Sequence, residues 1–74
     1  MKITDAHFVI CVQNDDYPAS LETRKIYQEV PDPDAGPELI RVIDESGEDY
    51  LFPRDLFVPV ELTGEIKAAL LRAS

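Results

Sequence analysis

The chain has 74 residues, of which 15 are acidic and 7 are basic, so its formal net charge is -8. This length allows one domain with a thin core. A single cysteine excludes an internal disulfide and favours a reducing compartment. The negative charge would repel phosphate backbones, so we expect no nucleic-acid partner.

The N-terminal residues argue against export and membrane insertion. The start, Met1-Lys2-Ile3-Thr4-Asp5, lacks the pattern of a signal peptide, and the apolar stretch that follows it, Phe8 to Val12, has five residues. A helix that spans a membrane needs about 20 apolar residues. We therefore expect a cytoplasmic protein with no membrane partner.

The first half of the chain predicts two strands separated by a long loop. Phe8 to Val12 is rich in β-branched residues and ends at the turn formers Gln13 to Asp16, which is typical of a buried strand. Residues 14–24 are polar, contain Pro18 and show no periodic pattern of apolar residues, so they predict a loop. Lys25 to Val30 alternates in polarity and predicts the second strand.

The middle of the chain predicts a hairpin. The three prolines between Pro31 and Pro37 exclude regular structure there. Leu39 to Ile43 and Asp49 to Phe52 are the third and fourth strands. Gly47 lies in the short polar connector between them and supplies a turn position with positive φ.

In the last third of the chain, the spacing of apolar residues changes from that of a strand to that of a helix. Pro53 to Leu56 predicts one helical turn, and Phe57 to Leu62 a fifth strand, which Pro59 restricts to an edge or a bulge. From Thr63 onward the pattern predicts a helix with an apolar stripe at Ile66, Ala69, Leu70 and Ala73. The stripe packs either on the sheet of the same chain or on a second copy, so monomer and homodimer both stay open.

The segment from Arg41 to Val60 resembles the SH3-like small barrel. It reads Val42-Ile43-Asp44-Glu45-Ser46-Gly47-Glu48-Asp49-Tyr50-Leu51-Phe52-Pro53, then Leu56-Phe57-Val58-Pro59-Val60. A similar string in SH3 domains carries the distal hairpin, a proline-bearing turn and the last strand. The stretch also resembles a family of small uncharacterised bacterial proteins of about this length.

The resemblance implies a mostly β fold, namely a five-stranded antiparallel SH3-like barrel over about residues 6–62. With the short C-terminal helix predicted over about 63–73, we expect one domain spanning 1–74. The chain departs from true SH3 domains because it has no tryptophan, and Val12-Gln13-Asn14 stands where their paired tyrosines would lie. Recognition of proline-rich peptides needs an aromatic groove and is not expected.

Two groups of residues contain side chains that occur in catalytic or metal sites but lack the spacing that such sites require. Cys11 lies in an apolar strand, and the single histidine, His7, is four residues away, so we expect a buried structural thiol. Oxygen ligands recur at every second residue of one segment, as in a calcium loop, at Asp32, Asp34, Gly36 and Glu38. The other features of a calcium loop are missing from this segment. We expect no catalytic residue, no metal and no cofactor.

Four carboxylates surround the predicted hairpin tip. They belong to Asp44, Glu45, Glu48 and Asp49. Water would screen them at an exposed tip, where no walls shape a substrate pocket, so we interpret them as a solubilising group that also opposes edge-to-edge pairing of sheets.

Aromatic residues beside acidic loops form the candidate partner-binding set: Tyr17, Tyr50 and Phe52, with Asp15 and Asp16. Tyr50 and Phe52 share one face of a strand because they are two residues apart. Exposed aromatic rings next to carboxylates would suit a basic segment of a partner protein. The alternative is that these rings belong to the core.

The sequence therefore favours a small adaptor module that binds a protein partner and is not an enzyme. One alternative is an acidic mimic that occupies a basic site meant for nucleic acid, since the net charge is -8. Another is a carboxylate-based metal-binding protein or enzyme, although no phosphate loop, zinc motif or catalytic triad is present in the sequence.

Overall fold

Alternating polarity and well-placed turn residues produce five short strands and one helix. The structure is a computed structural model that describes residues 6–73. Its elements are β1 (His7–Cys11), β2 (Ile26–Glu29), β3 (Leu39–Ile43), β4 (Asp49–Pro53), a 3-10 helix (Arg54–Leu56), β5 (Phe57–Val60) and α1 (Gly64–Ala73). The predicted order and type of elements are confirmed. The expectation that residues 1–5 are no signal peptide lies outside the described residues.

The strands form one antiparallel sheet in the order β4-β3-β2-β1-β5. The last strand returns to the first, with Phe8 opposite Val60 and Cys11 opposite Phe57. In the described part of the chain β4 and β5 each have one neighbour, so the sheet is open between them. The mostly β, five-stranded antiparallel prediction is confirmed, whereas closure into a barrel is not observed.

One face of the sheet carries the core. Side chains alternate between the two faces of a strand, so every second residue of each strand points to this side. Leu21 from the loop after β1 is 0% exposed and closes the core together with Leu56 of the 3-10 helix. The core residues from the strands are Val9, Cys11, Tyr27, Ile40, Val42, Phe52 and Phe57.

The C-terminal part of helix α1 faces the second side of the sheet across a cavity that Leu70 and Leu71 share with Phe8 and Ile26. Thr63 caps its N-terminus, because the Thr63 hydroxyl accepts the Ile66 N–H at 3.2 Å. Leu70 and Leu71 are half-buried, whereas Ile66 stays 46% exposed. The helix is thus rotated from the predicted stripe: Leu71 turns towards the sheet, and Ile66, Ala69 and Ala73 do not become buried.

Gly47 closes the β3–β4 hairpin. Its φ is +85°, its N–H donates to the Asp44 carbonyl at 3.0 Å, and the Asp44 N–H donates to the Glu48 carbonyl at 3.0 Å. This is a type I turn followed by a bulge with its glycine in the left-handed region. The predicted hairpin is confirmed, and its geometry sets the register of the whole β3–β4 ladder.

The outer edge of β5 is protected by Pro59. Val12 donates its N–H to the Leu56 carbonyl at 2.8 Å, and Val9 lies opposite Pro59. Hydrogen-bonded pairs alternate in an antiparallel ladder, so the nitrogen of Pro59 faces away from β1. Proline has no N–H to offer there, which blunts the edge against another strand.

Replacing this proline should open the edge. We expect Pro59→Ala to lower the free energy of unfolding by about 0.4–1 kcal/mol, because the unfolded chain gains freedom, and to increase self-association, because the edge gains a donor. Urea denaturation and sedimentation velocity measure the two effects. Pro33→Ala, in an exposed loop, is the control. If Pro59→Ala stays as monomeric as this control, Pro59 does not protect the edge.

Candidate protein-binding surface

Residues 12–25 join β1 to β2 and form the long loop, which is folded upon itself. The Tyr17 N–H donates to the Asn14 carbonyl at 2.8 Å, and the Leu21 N–H donates to the Tyr17 carbonyl at 3.0 Å. The Asn14 amide nitrogen donates to the Leu21 carbonyl at 2.9 Å. These bonds hold Leu21 in the core, so the long loop is an ordered part of the fold.

A bulge fixes the base of the long loop. The Cys11 N–H donates to the Lys25 carbonyl at 2.9 Å, while the Cys11 carbonyl accepts the Arg24 N–H at 2.7 Å. Two residues therefore face one across the ladder, and Arg24 adopts φ +70°. Asp16, at φ +75°, is the second non-glycine residue of the loop in this region. The chain reverses at these two points.

Glu45 attaches the hairpin to the long loop and to β2. Its N–H donates to the Ser20 carbonyl at 3.0 Å. Its carboxylate accepts the Tyr27 hydroxyl at 2.5 Å and the Lys25 ammonium at 2.6 Å. The Tyr27 oxygen in turn accepts the Glu22 N–H at 2.7 Å. Four backbone and side-chain bonds thus converge where the hairpin meets the loop.

The electrostatics of this junction favour an ionised Glu45. The hydrogen bond from Lys25, and next the one from Tyr27, lower the pKa of the Glu45 carboxyl. The bond to Glu45 raises the pKa of Lys25. Burial, with the carboxylate as the second cause, raises the pKa of the Tyr27 phenol. The ion pair and the neutral phenol are therefore the stable state at neutral pH.

Tyr17 rests on the edge of the core. Its ring meets that of Phe52 at a centroid distance of 5.2 Å and an interplanar angle of 84°. Phe52 is 3% exposed and lies 6.2 Å from the Phe57 ring. Phe52 therefore belongs to the core and is the base on which half-buried Tyr17 lies. It does not itself reach the surface.

Tyr50 is the exposed aromatic residue of β4. Its side chain is 48% exposed, and its hydroxyl donates to the Glu48 carboxylate at 3.1 Å, which raises the pKa of the phenol. It lies opposite Val42, as Phe52 lies opposite Ile40. The two aromatic residues are thus on one side of β4, separated by about 7 Å along the strand. The structure brings Tyr17 and Phe52 into contact and places Tyr50 next along that side.

Asp15 and Asp16 are exposed beside Tyr17. The Asp15 carboxylate accepts a hydrogen bond from the Gln13 side-chain amide at 2.7 Å. Within residues 6–73 neither aspartate belongs to an ion pair. We define the acidic aromatic surface as Asp15, Asp16, Tyr17 and Tyr50.

The hairpin acids are less exposed than the sequence predicts. Asp44 is buried, and its carboxylate accepts the Ser46 N–H at 2.8 Å and the Ser46 hydroxyl at 2.5 Å. Glu45 is occupied at the junction with the long loop. Glu48 and Asp49 are exposed and take no part in this junction, and the solubilising role of the tip stays a prediction.

The Asp32 segment is an ordinary turn with an ion pair. The Asp32 carboxylate accepts the Arg41 guanidinium at 2.9 Å and the Asp34 N–H at 3.1 Å. Both oxygens are therefore engaged by the chain itself. Among residues 6–73 no three acidic, histidine or cysteine side chains form a group that could hold a metal ion.

Cys11 is a core residue. Its side chain is fully buried and its thiol donates to the Gln13 carbonyl at 3.2 Å. Burial raises the pKa of this thiol. His7, at the start of the same strand, is exposed. The thiol is therefore protonated and remote from solvent.

A half-open cavity of about 600 Å³ lies between the second face of the sheet and α1. Phe8, Ile26 and Leu70 are among its apolar walls, and the Lys25–Glu45 pair is at its border. The sequence does not reveal this space, because its walls depend on how the helix is rotated. The sequence does not reveal the contact between Tyr27 and Glu45 for a related reason: the proline-rich segment after β2 and the whole of β3 separate the two residues along the chain.

Comparison of the chain with protein-family models, with curated proteins and with solved structures finds no match. The surface is therefore interpreted from its own geometry. In the part of the chain that the structure describes, no helix has the length and apolarity to cross a membrane.

Removing the charge of Glu45 should weaken the fold in a pH-dependent manner. We expect Glu45→Gln to lower the free energy of unfolding by about 1 kcal/mol at neutral pH. The pKa of Glu45 is lowered by folding, so its contribution is complete above the ordinary glutamate pKa and is lost as the pH falls through the lowered value. The raised pKa of Lys25 keeps the pair intact up to the ordinary lysine pKa.

Urea denaturation between about pH 3 and 8 tests this expectation. The difference between wild type and Glu45→Gln should be constant in the neutral range and shrink in acid. Glu48→Gln, on the exposed side of the same hairpin, is the control. A difference that is the same at every pH would contradict an ionic role for Glu45.

Proposed function

We propose that this chain is a small adaptor module of SH3-like architecture that binds a basic segment of a partner protein. The order of elements supports the architecture: a long loop after β1, a β3–β4 hairpin, a 3-10 helix before β5, and β5 beside β1. The binding role is supported by the acidic aromatic surface. It needs neither a metal nor a cofactor.

The observation that carries the proposal is the support of Tyr17. Its ring is half-buried and held edge-on against Phe52, so a partner would meet a ring that is already fixed in place. Aromatic side chains in fixed orientations supply contact area at a low cost in conformational entropy. The long loop, bound to the hairpin through Glu45, keeps this orientation without the partner.

The charges next to Tyr17 determine the chemistry of the partner. Asp15 and Asp16 have no cation of their own within residues 6–73, so they add to a negative potential at the edge of the ring. A lysine or arginine would lie over the tyrosine face and pair with these carboxylates. The overall charge of -8 would speed the approach of such a segment.

A synthetic peptide of alternating lysine and valine residues, called the Lys-Val peptide, provides the probe. We expect Asp15→Asn/Asp16→Asn to weaken its affinity about threefold to tenfold, since two rim charges contribute about 0.6–1.4 kcal/mol together. Asparagine tolerates the positive φ of Asp16, so the long loop should keep its shape. Fluorescence polarisation gives the affinity, and amide chemical shifts show which residues the peptide contacts.

The matched control is Glu38→Gln/Glu61→Gln, which removes the same charge at exposed positions outside the acidic aromatic surface. We expect it to keep most of the affinity. If both double variants weaken the affinity equally, net charge alone explains the loss of affinity, and the proposal would fail. It would also fail if the peptide does not bind or if its shifts avoid Tyr17 and Tyr50.

A further inference from the structure

We propose that the outer edge of β4 binds an extended, basic segment of the partner as an additional strand of the sheet. This inference rests on the proposed function and specifies how the partner would bind. It is carried by the open backbone of β4, by the exposure of its side chains and by the charges at its start.

The β3–β4 ladder leaves two residues of β4 with unpaired backbone groups. The Asp44 N–H bonds to the Glu48 carbonyl, and the Arg54 N–H bonds to the Glu38 carbonyl at 2.9 Å. Hydrogen-bonded pairs alternate between these two points, so Tyr50 and Phe52 are bonded to β3. Asp49 and Leu51 therefore direct their N–H and C=O groups outward, where no other strand pairs within residues 6–73.

The two edges of the sheet differ in what they offer. At the β5 edge, the backbone nitrogen of Pro59 faces outward and carries no N–H group that could donate a hydrogen bond. At the β4 edge, the donors of Asp49 and Leu51 are both present, and Pro53 ends the strand. An incoming strand thus finds four bonding groups in register on β4, which is the arrangement used in recognition by strand addition.

The side chains of β4 are exposed on both faces of the sheet. Tyr50 is 48% exposed, and Leu51, on the opposite face, is 39% exposed. Alternate residues of an added strand would contact these two side chains in turn. Backbone bonds supply part of the affinity, and these contacts supply preference for one sequence over another.

Charge selects a basic segment over a second copy of this chain. Glu48 and Asp49 are exposed at the start of the edge, and the only cation near Asp49 among the described residues is Arg41, at 3.7 Å. A second copy paired at β4 would bring an equally acidic molecule to this edge. Each copy also carries net charge -8. Like charges oppose this pairing, whereas lysines on a partner strand offset it.

The test removes one outward donor and leaves the internal ladder intact. Leu51→Pro deletes the N–H that faces solvent, and Leu51→Val is the matched control that keeps it. We expect Leu51→Pro to bind the Lys-Val peptide about tenfold more weakly, as for the loss of one or two backbone hydrogen bonds. Leu51→Val should stay within about threefold of wild type. Circular dichroism verifies that both variants are folded.

A second measurement needs no variant. In wild type, hydrogen exchange at the amides of Asp49 and Leu51 should slow when the peptide binds, and a peptide N-methylated at alternate residues on one edge should not bind. Unchanged exchange at both amides in the bound state, or equal affinity of Leu51→Pro and Leu51→Val, would overturn strand addition. The proposed function would survive that result if Asp15→Asn/Asp16→Asn still weakens binding.

Association of wild type with itself through β4 would also overturn the inference. It would appear in sedimentation velocity as a dimer whose Asp49 and Leu51 amides are protected without peptide. Complete absence of peptide binding would instead remove the proposed function together with this inference.

Discussion

The junction at Glu45 is the interaction on which the rest of the structure depends. Hydrogen bonds within the long loop fold it upon itself, and the bonds of Glu45 attach the folded loop to the hairpin and to β2. Glu45 binds Ser20 through its backbone and Tyr27 and Lys25 through its carboxylate. This arrangement keeps Leu21 in the core and Tyr17 on Phe52, so the small core and the acidic aromatic surface share one support.

The ion pairs show which acidic side chains have a cationic partner and which do not. Lys25 and Arg41 are two of the few cations, and they form ion pairs with Glu45 and Asp32 of the same chain. Asp15 and Asp16 on the long loop stay unpaired within residues 6–73, and the start of β4 carries exposed acids. Part of the excess negative charge therefore lies beside the two features proposed to bind a partner, the acidic aromatic surface and the open edge of β4.

Local patterns predict the elements of this fold well. The alternation of Lys25 to Val30, Gly47 in a short connector and Pro59 in an apolar run each have one physical meaning within a few residues. Contacts between distant segments were not predictable in the same way. The burial of Asp44 and Phe52, and the rotation of α1 towards Leu71, depend on how the elements pack, which no single pattern encodes. Of the candidate site, the sequence identifies the exposed residues but not their support.

Native-state hydrogen exchange tests the central claim most directly, namely that the long loop is a cooperative part of the fold. The Glu22 amide donates to the Tyr27 oxygen, and the Glu45 amide donates to the Ser20 carbonyl. Both amides should exchange through the same unfolding reaction as the core strands, with protection close to the global free energy of unfolding. Rapid exchange of both amides, with the strand amides still protected, would show that the loop opens independently and would contradict the account.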